Sequence, residues 1–268
     1  MPVYWFAISQ TSDINVLHAG LIFFILHVLV YPASNGYNSY MDRDTKSIGG
    51  IKNPQQPTKQ LFYATIWLDI VSILLSWFIS IYFLVGIIIY ILASRAYSYR
   101  GIRLKKYPVI GYLTVVIVQG CVTFFLVMHG SSTEKIMDVP FIGMLTAGLL
   151  IGGFYPLTQI YQHKQDEEDD VISISKLLGY NGTFIFTGIV YILAMCSLGF
   201  YLISGLQQNN FFIIQIFFIP ILVYFLWWFT KVYKNTDAAS FKNTMRMNML
   251  ASFCSNYAFI TLLILQKY

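Results

Sequence analysis

Apolar residues run through this chain in long blocks, broken at intervals by short polar clusters. The blocks occupy residues 14–36, 61–80, 82–99, 107–128, 140–160, 179–204, 211–233 and 245–266. Their lengths suit helices that cross about 30 Å of hydrocarbon, a task for roughly 20 residues. Their pattern is helical rather than alternating, which argues against an outer-membrane barrel. Met1–Gln10 is also apolar but about half as long, so either the first helix is a partial span or it begins upstream. The expectation is an all-α polytopic bundle of about nine transmembrane helices, the first one short, around a central cavity open to the cytoplasmic side. The polar stretches leave no room for a separate soluble unit, so residues 1–268 are expected to form one domain.

Composition agrees with this pattern. The chain is 57% hydrophobic and only 11% charged, against about 25% charged for a soluble domain. A net charge of +5 raises the question of nucleic acid, and its distribution answers it. Arg43, Lys46, Lys52, Lys59, Arg95, Arg100, Arg103, Lys105, Lys106, Lys164, Lys176, Lys231, Lys234, Lys242 and Arg246 all fall on one predicted side, with Lys135 and Lys267 opposite. That asymmetry is membrane topology: it puts those loops and the N-terminus in the cytoplasm and the C-terminus outside. Neither nucleic acid nor an obligate protein partner is implied. No basic stretch or small-residue cleavage site precedes the first apolar run, and a bacterial inner (plasma) membrane is the expected home. Cys121, Cys196 and Cys254 stand alone in apolar runs without metal-ligand spacing, so they read as core residues.

The polar chemistry sits in a stretch used twice. YPASNGYNSYMDRDTK (31–46) and YPLTQIYQHKQDEEDD (155–170) align at one offset: Tyr31 with Tyr155, Pro32 with Pro156, Tyr37 with Tyr161, Asn38 with Gln162 and Asp42 with Asp166. In each copy an amide and a carboxylate stand four apart, which on a helix puts both on one face. Magnesium takes oxygen ligands and needs one or two carboxylates plus phosphate oxygens. Asn38 and Asp42 facing Asp166 and Asp170 would meet that need and make a magnesium–diphosphate site; Asp44 is a further acid nearby. The plainer reading of 166–170 is a solvated acidic loop. Arg43, Arg100, Arg103, Lys105 and Lys106 could neutralise a diphosphate, or serve only topology. Asp69 lies about 12 Å below the membrane edge by helix rise, where an ionisable group is costly and faces the interior; it is a base, a ligand-orienting group or a structural acid. His163, beside Gln162, is a further candidate, whereas His18 and His27 read as core. Trp67, Tyr97, Tyr99, Tyr155, Tyr161, Trp227 and Trp228 could line a pocket that shelters a cation; Trp227, Trp228 and Tyr233 read first as an interfacial belt. Loop 37–60, with Gly49, Gly50, Pro54 and Pro57, could fold over the site.

These residues make the chain resemble the UbiA superfamily of intramembrane prenyltransferases, whose members carry one Asp-rich motif after helix two and another after helix six. Against NDxxDxxxD the chain offers Asn38, Ser39, Asp42 and Lys46; against DxxxD it offers Gln162 and Asp166, with Asp170 one turn on. Ser39, Lys46 and Gln162 replace acids. The segments YPLTQIYQ (155–162) and SKLLG (175–179) also resemble the family. The resemblance implies Mg2+-dependent ionisation of a prenyl diphosphate, the metal held by Asn38, Asp42, Asp166 and Asp170. Arg43, Lys46, Arg100 and Lys106 would then face the diphosphate. The released prenyl group would alkylate a lipophilic or aromatic acceptor in quinone, pigment or other isoprenoid biosynthesis. A terpene cyclase built on the same site, and more distantly a non-catalytic membrane carrier, are the alternatives. Acids crowded at one surface disfavour the carrier, whose ion ligands usually lie at mid-membrane.

Overall fold

In hydrocarbon no water is present to satisfy backbone amides, so an apolar block of this length closes its hydrogen bonds on itself as a helix. A computed structural model describes residues 1–43, 47, 51–168 and 171–266, with only the backbone of Lys164, Gln165 and Glu168. Its helices are α1 (Pro2–Ser9), α2 (Val16–Asp42), α3 (Lys59–Ser76), α4 (Ile81–Ser98), α5 (Pro108–Ser131), α6 (Phe141–Gln162), α7 (Ile174–Ser204), α8 (Gln208–Lys234) and α9 (Phe241–Leu265). All but α1 are long and apolar enough to cross a membrane. Among the described residues there is no β-strand, only an isolated bridge between Ile14 and Ser132.

Two boundaries differ from the pattern in the sequence. The second helix was expected to end near 36 but runs to Asp42, through a π-helical turn at Ile25–Val30. The first Asp-rich stretch is therefore helical through its carboxylate. The expected start of the seventh segment, 179, falls on a break inside α7, where Gly179 has φ 67° and ψ 178°. A side chain there would be strained, so the turn before it, Ile174–Leu178, leaves the main axis.

Serine side chains start three helices by accepting the amides that have no partner at a helix N-terminus: Ser80 from Phe83, Ser173 from Lys176 and Ser240 from Asn243. In the middle of the bundle α6 packs along α7 and α5. A Cβ on Gly120 of α5 would stand 2.5 Å from the Cα of Gly148 on α6, and one on Gly152 would stand 2.5 Å from the Tyr112 hydroxyl. Gly148 and Gly152, four apart, thus let two backbones approach as small residues do in membranes. Short as it is, α1 is core: Phe6 is fully buried, with its ring 4.8 Å from Phe259 and 4.9 Å from Phe124. Leu74, Trp77, Ile192 and Phe200 point outward, as a lipid-facing surface requires. Trp228 departs from the expected belt. It is fully buried, and its indole donates to the Ala238 carbonyl at 2.8 Å, while Trp227 and Tyr233 remain exposed.

At one end a polar knot ties the turns together. Lys135 reaches His18 and the carbonyls of Gly130 and Ser132, and His129 joins Ser80 to the Ile136 carbonyl. The Asp-rich ends of α2 and α6 lie at the opposite end of their helices.

Gly120→Ala should destabilise the fold by about 1–3 kcal/mol, because backbone atoms cannot move out of the way of the new methyl group. Gly20→Ala, with nothing within 4 Å of the new atom, should cost nothing measurable. Paired thermal melts in detergent check both.

Candidate functional site

One face of α2 supplies the first half of the site at the helical four-residue spacing. The Ser34 hydroxyl lies 2.6 Å from that of Ser94 on α4, and one turn on, the Ser98 hydroxyl donates to Asn38 Oδ1 at 2.8 Å. One turn further, Asp42 is buried, 8% exposed. Lys105, from the turn between α4 and α5, pairs with its Oδ2. The Arg103 guanidinium stands 3.9 Å from Oδ1, an oxygen that is itself buried and accepts no hydrogen bond. Arg100 holds the end of α2, donating to the Met41 carbonyl at 2.8 Å and to that of Asp42 at 3.5 Å. Arg43 and Arg103 both have φ above 50°, the left-handed region that a side chain occupies at a cost of order 1–3 kcal/mol.

The second half comes from the end of α6. Gln162 closes a 3-10 turn and Asp166 sits on the six-residue helix His163–Glu168 that follows. Ser173 works twice: it accepts the Lys176 amide as the cap of α7 and donates its hydroxyl to Asp166 Oδ2 at 2.7 Å. Burial, chiefly, raises the Asp166 pKa above the ordinary carboxylate value, and the nearby Asp42 charge pushes the same way. The Ser173 hydrogen bond and the charges of Lys105 and Lys176 oppose the rise. The two aspartates therefore feel one another across the same space.

That space is a cavity of about 510 Å³ lined by Asn38, Asp42, Lys105, Gln162 and Asp166. Deeper in its wall the hydroxyls of Tyr97 and Tyr155 bond to each other. Gln159 Nε2 donates to Tyr155 at 2.9 Å, while Gln159 Oε1 is buried with no partner. Tyr161 lines the cavity as well; Trp67, Tyr99 and Trp227 are exposed elsewhere. Ile51, from the 37–60 loop, also touches it. Ser98 and Gln159 went unnoticed in the sequence, because a serine or glutamine within an apolar helix carries no signal until its partner is known.

The remaining candidates divide. Arg43, Arg100, Arg103, Lys106 and His163 do not line the cavity, although Arg100 and Arg103 brace Asp42. Asp44, Lys46 and Asp170 lie outside the described residues. His163 stacks on Tyr180 at 4.6 Å and meets the Ser175 hydroxyl at 2.8 Å. Burial and then the Lys176 charge pull its pKa down to about 4, so it is a neutral brace between α6 and α7 at physiological pH. Asp69, for which a structural acid was one of the expected roles, pairs with Arg95 of the neighbouring α4. That guanidinium also reaches the Ala33 carbonyl at 3.5 Å and the Thr65 carbonyl at 3.4 Å, and it lies 4.0 Å from the centre of the Tyr37 ring. This cluster ties α3 and α4 to α2 beside the site.

Among the described residues no three acids, histidines or cysteines gather closely enough to hold a metal ion alone. Two carboxylates and two side-chain amides do fit a magnesium ion that takes its other ligands from phosphate and water. Asp42 Oδ1, buried and accepting no hydrogen bond, is an oxygen such an ion would use.

A family model matches residues 1–250, and it is the model of the UbiA prenyltransferase family. The chain belongs to that family. No curated protein sequence matches it. Among solved structures, the apo form of a UbiA homolog from Aeropyrum pernix K1 superposes with a TM-score of 0.71 at 15% identity, over 97% of this chain and 95% of that one. A UbiA homolog from Archaeoglobus fulgidus bound to GPP and Mg2+ gives 0.68 at 15% identity, over 97% and 93%. Digeranylgeranylglyceryl phosphate synthase gives 0.64 at 21% identity, over 98% and 91%. At these identities the likeness is one of fold, the UbiA helical bundle.

Arg95→Met should leave the Asp69 carboxylate without its partner and cost about 3–5 kcal/mol, while the double variant Asp69→Leu/Arg95→Met should recover most of that loss. Melting midpoints of the two proteins decide the matter; equal losses would mean the pair is not the cause.

Proposed function

We propose that the chain transfers a prenyl group from a prenyl diphosphate to an acceptor, with Mg2+, in the cavity between α2, α4 and α6. The observation that carries this reading is the meeting of Asp42 and Asp166, 124 residues apart in sequence, on one cavity beside Lys105. Family membership supports it, as does the A. fulgidus homolog bound to GPP and Mg2+. Asn38, Asp42 and Asp166 would hold the metal together with the substrate's phosphate oxygens. Magnesium, when bound, supplies neutralisation of the charge that gathers on the leaving diphosphate.

The chain's own residues do the rest. Ser98 fixes the Asn38 amide so that its oxygen stays at the cavity, and Ser173 fixes the Asp166 carboxylate. Lys105, paired with Asp42 in the absence of substrate, is the nearest cation for the diphosphate. Asp42 would hold the dication and Lys105 the diphosphate, so neither buried charge would be left unpaired. In the reaction the bond between the allylic carbon and the diphosphate oxygen breaks with both electrons on oxygen. The carbon then accepts a pair from the acceptor, which loses a proton to water or to the diphosphate. Tyr97 and Tyr155 line the space where the cation forms, and the surrounding apolar helices keep bulk water out. Asp69 and Arg95 hold helices in place and take no part in the chemistry. The one-sided basic residues support a cytoplasmic location for this end of the bundle.

Asp42→Ala and Asp166→Ala should each lower Mg2+-dependent diphosphate release by at least about a hundredfold; Asp42→Ala should also lower the melting midpoint, since it takes the partner of Lys105 away, so release is measured well below that midpoint. The assay is pyrophosphate release from a panel of prenyl diphosphates by purified protein. Retention of most activity in either variant would remove the assignment.

A further inference from the structure

A second cavity, of about 530 Å³, lies on the far side of α6 and is bounded by α1, α7, α8 and α9. Its wall is almost wholly apolar, with Leu150, Phe154, Leu157, Phe218 and Phe225 among its side chains. Its volume is that of a site for a drug-sized ligand. The C-terminal half of α6 divides the two spaces: Tyr155, Thr158 and Gln159 face the diphosphate side, Phe154 and Leu157 the apolar side. Asn248 of α9 lines both.

The few polar groups of this chamber are badly served. Asn248 Oδ1 is buried and has no hydrogen-bond partner, and its amide nitrogen has only the Met245 sulfur at 4.0 Å. Thr187 Oγ1, on the α7 wall, is likewise buried and unpartnered. Polar atoms left without partners in a buried setting are destabilising, and an apolar chain alone would not relieve that cost. A molecule with an apolar body and a hydroxyl would. The hydroxyl satisfies the Asn248 amide whichever way it is turned, since it both donates and accepts.

Resting on the prenyl-transfer reading, we propose that this chamber seats the acceptor. It is a lipid-soluble alcohol or phenol whose apolar body lies among α6–α9 and whose hydroxyl is held by Asn248 at the divide between the two cavities. Thr187 is a second hydrogen-bonding point along the chamber wall. Asn248 would thus select the acceptor, while the aspartates handle only the diphosphate.

The test uses full-length protein in nanodiscs without prenyl diphosphate or magnesium, and as probe a long-chain alcohol bearing a mid-chain diazirine. Photolabel should map to peptides covering 149–157, 187–192 and 247–255. Unlabelled hexadecanol should compete about tenfold better than hexadecane. Asn248→Leu should abolish that preference, Thr187→Val should weaken it and Thr187→Ser should keep it; the threonine pair serves if the Asn248 variant does not fold. In a second arm with a prenyl diphosphate and magnesium, dodecylphenol should be prenylated and its methyl ether should not. Equal competition by alcohol and alkane, the mark of lipid occupancy only, would overturn the proposal. So would label elsewhere, a preference that survives Asn248→Leu, or equal turnover of phenol and ether. Because the binding arm contains no diphosphate, its failure leaves the Asp42 and Asp166 result standing, and the reverse also holds.

Discussion

A charge cannot sit in hydrocarbon without a partner, and the structure is arranged to obey that constraint. Removing one member of a buried ion pair costs several kcal/mol, because the survivor keeps its desolvation penalty and loses its compensation. Asp42, Asp69 and Lys135 are accordingly tied. Asp42 has Lys105 with Arg103 behind it, Asp69 has Arg95, and Lys135 is folded onto two carbonyls and His18. The result is a bundle with an apolar outer surface, a closed polar knot at one end and an open polar cavity at the other.

Among the described residues Lys105 is the one cation that lines the cavity, but it does not stand alone. Lys105, Arg103 and Lys176 surround two aspartates, which suits an anion arriving with a single dication better than a pair of metal ions bound in advance. Replacement of acids by Ser39, Lys46 and Gln162 in the Asp-rich stretches points the same way. Fewer fixed carboxylates mean that the phosphate itself must complete the metal's coordination. Binding of metal and of diphosphate would then be interdependent, each supplying ligands or counter-charge that the other lacks.

Much of this was legible before any coordinates. Apolar blocks separated by polar clusters gave eight spans to within a few residues, since hydrocarbon thickness sets their length. The four-residue echo of Asn38–Asp42 in Gln162–Asp166 pointed to two chain segments that do line one cavity. What could not be read was which charge each charge would find. Lys105 was one of four basic residues in its loop, and the left-handed turn at Arg103 delivers it to Asp42. Asp69 had the depth of a functional group, but Arg95 lies 26 positions away on a neighbouring helix, where periodicity gives no pairing. Trp228 looked interfacial because hydropathy records depth along a helix and not which face the ring occupies.

Helix α6 shows why the two cavities remain separate. Its glycine face, Gly148 and Gly152, is spent on close contact with α5; a second face carries Tyr155, Thr158 and Gln159; a third carries Leu150, Phe154 and Leu157. A single helix can partition polar from apolar space in this way only if its packing demand is met by residues without side chains, leaving two full faces free. Pro156 lies inside the same helix, where the lost amide removes one internal hydrogen bond, between Tyr155 on the polar side and Leu157 on the apolar side. Polar headgroup and lipophilic body are thereby sorted by the helix's own periodicity. On the proposed reading a diphosphate would find Lys105 on one side and an apolar molecule its volume on the other, with Asn248 lining both cavities.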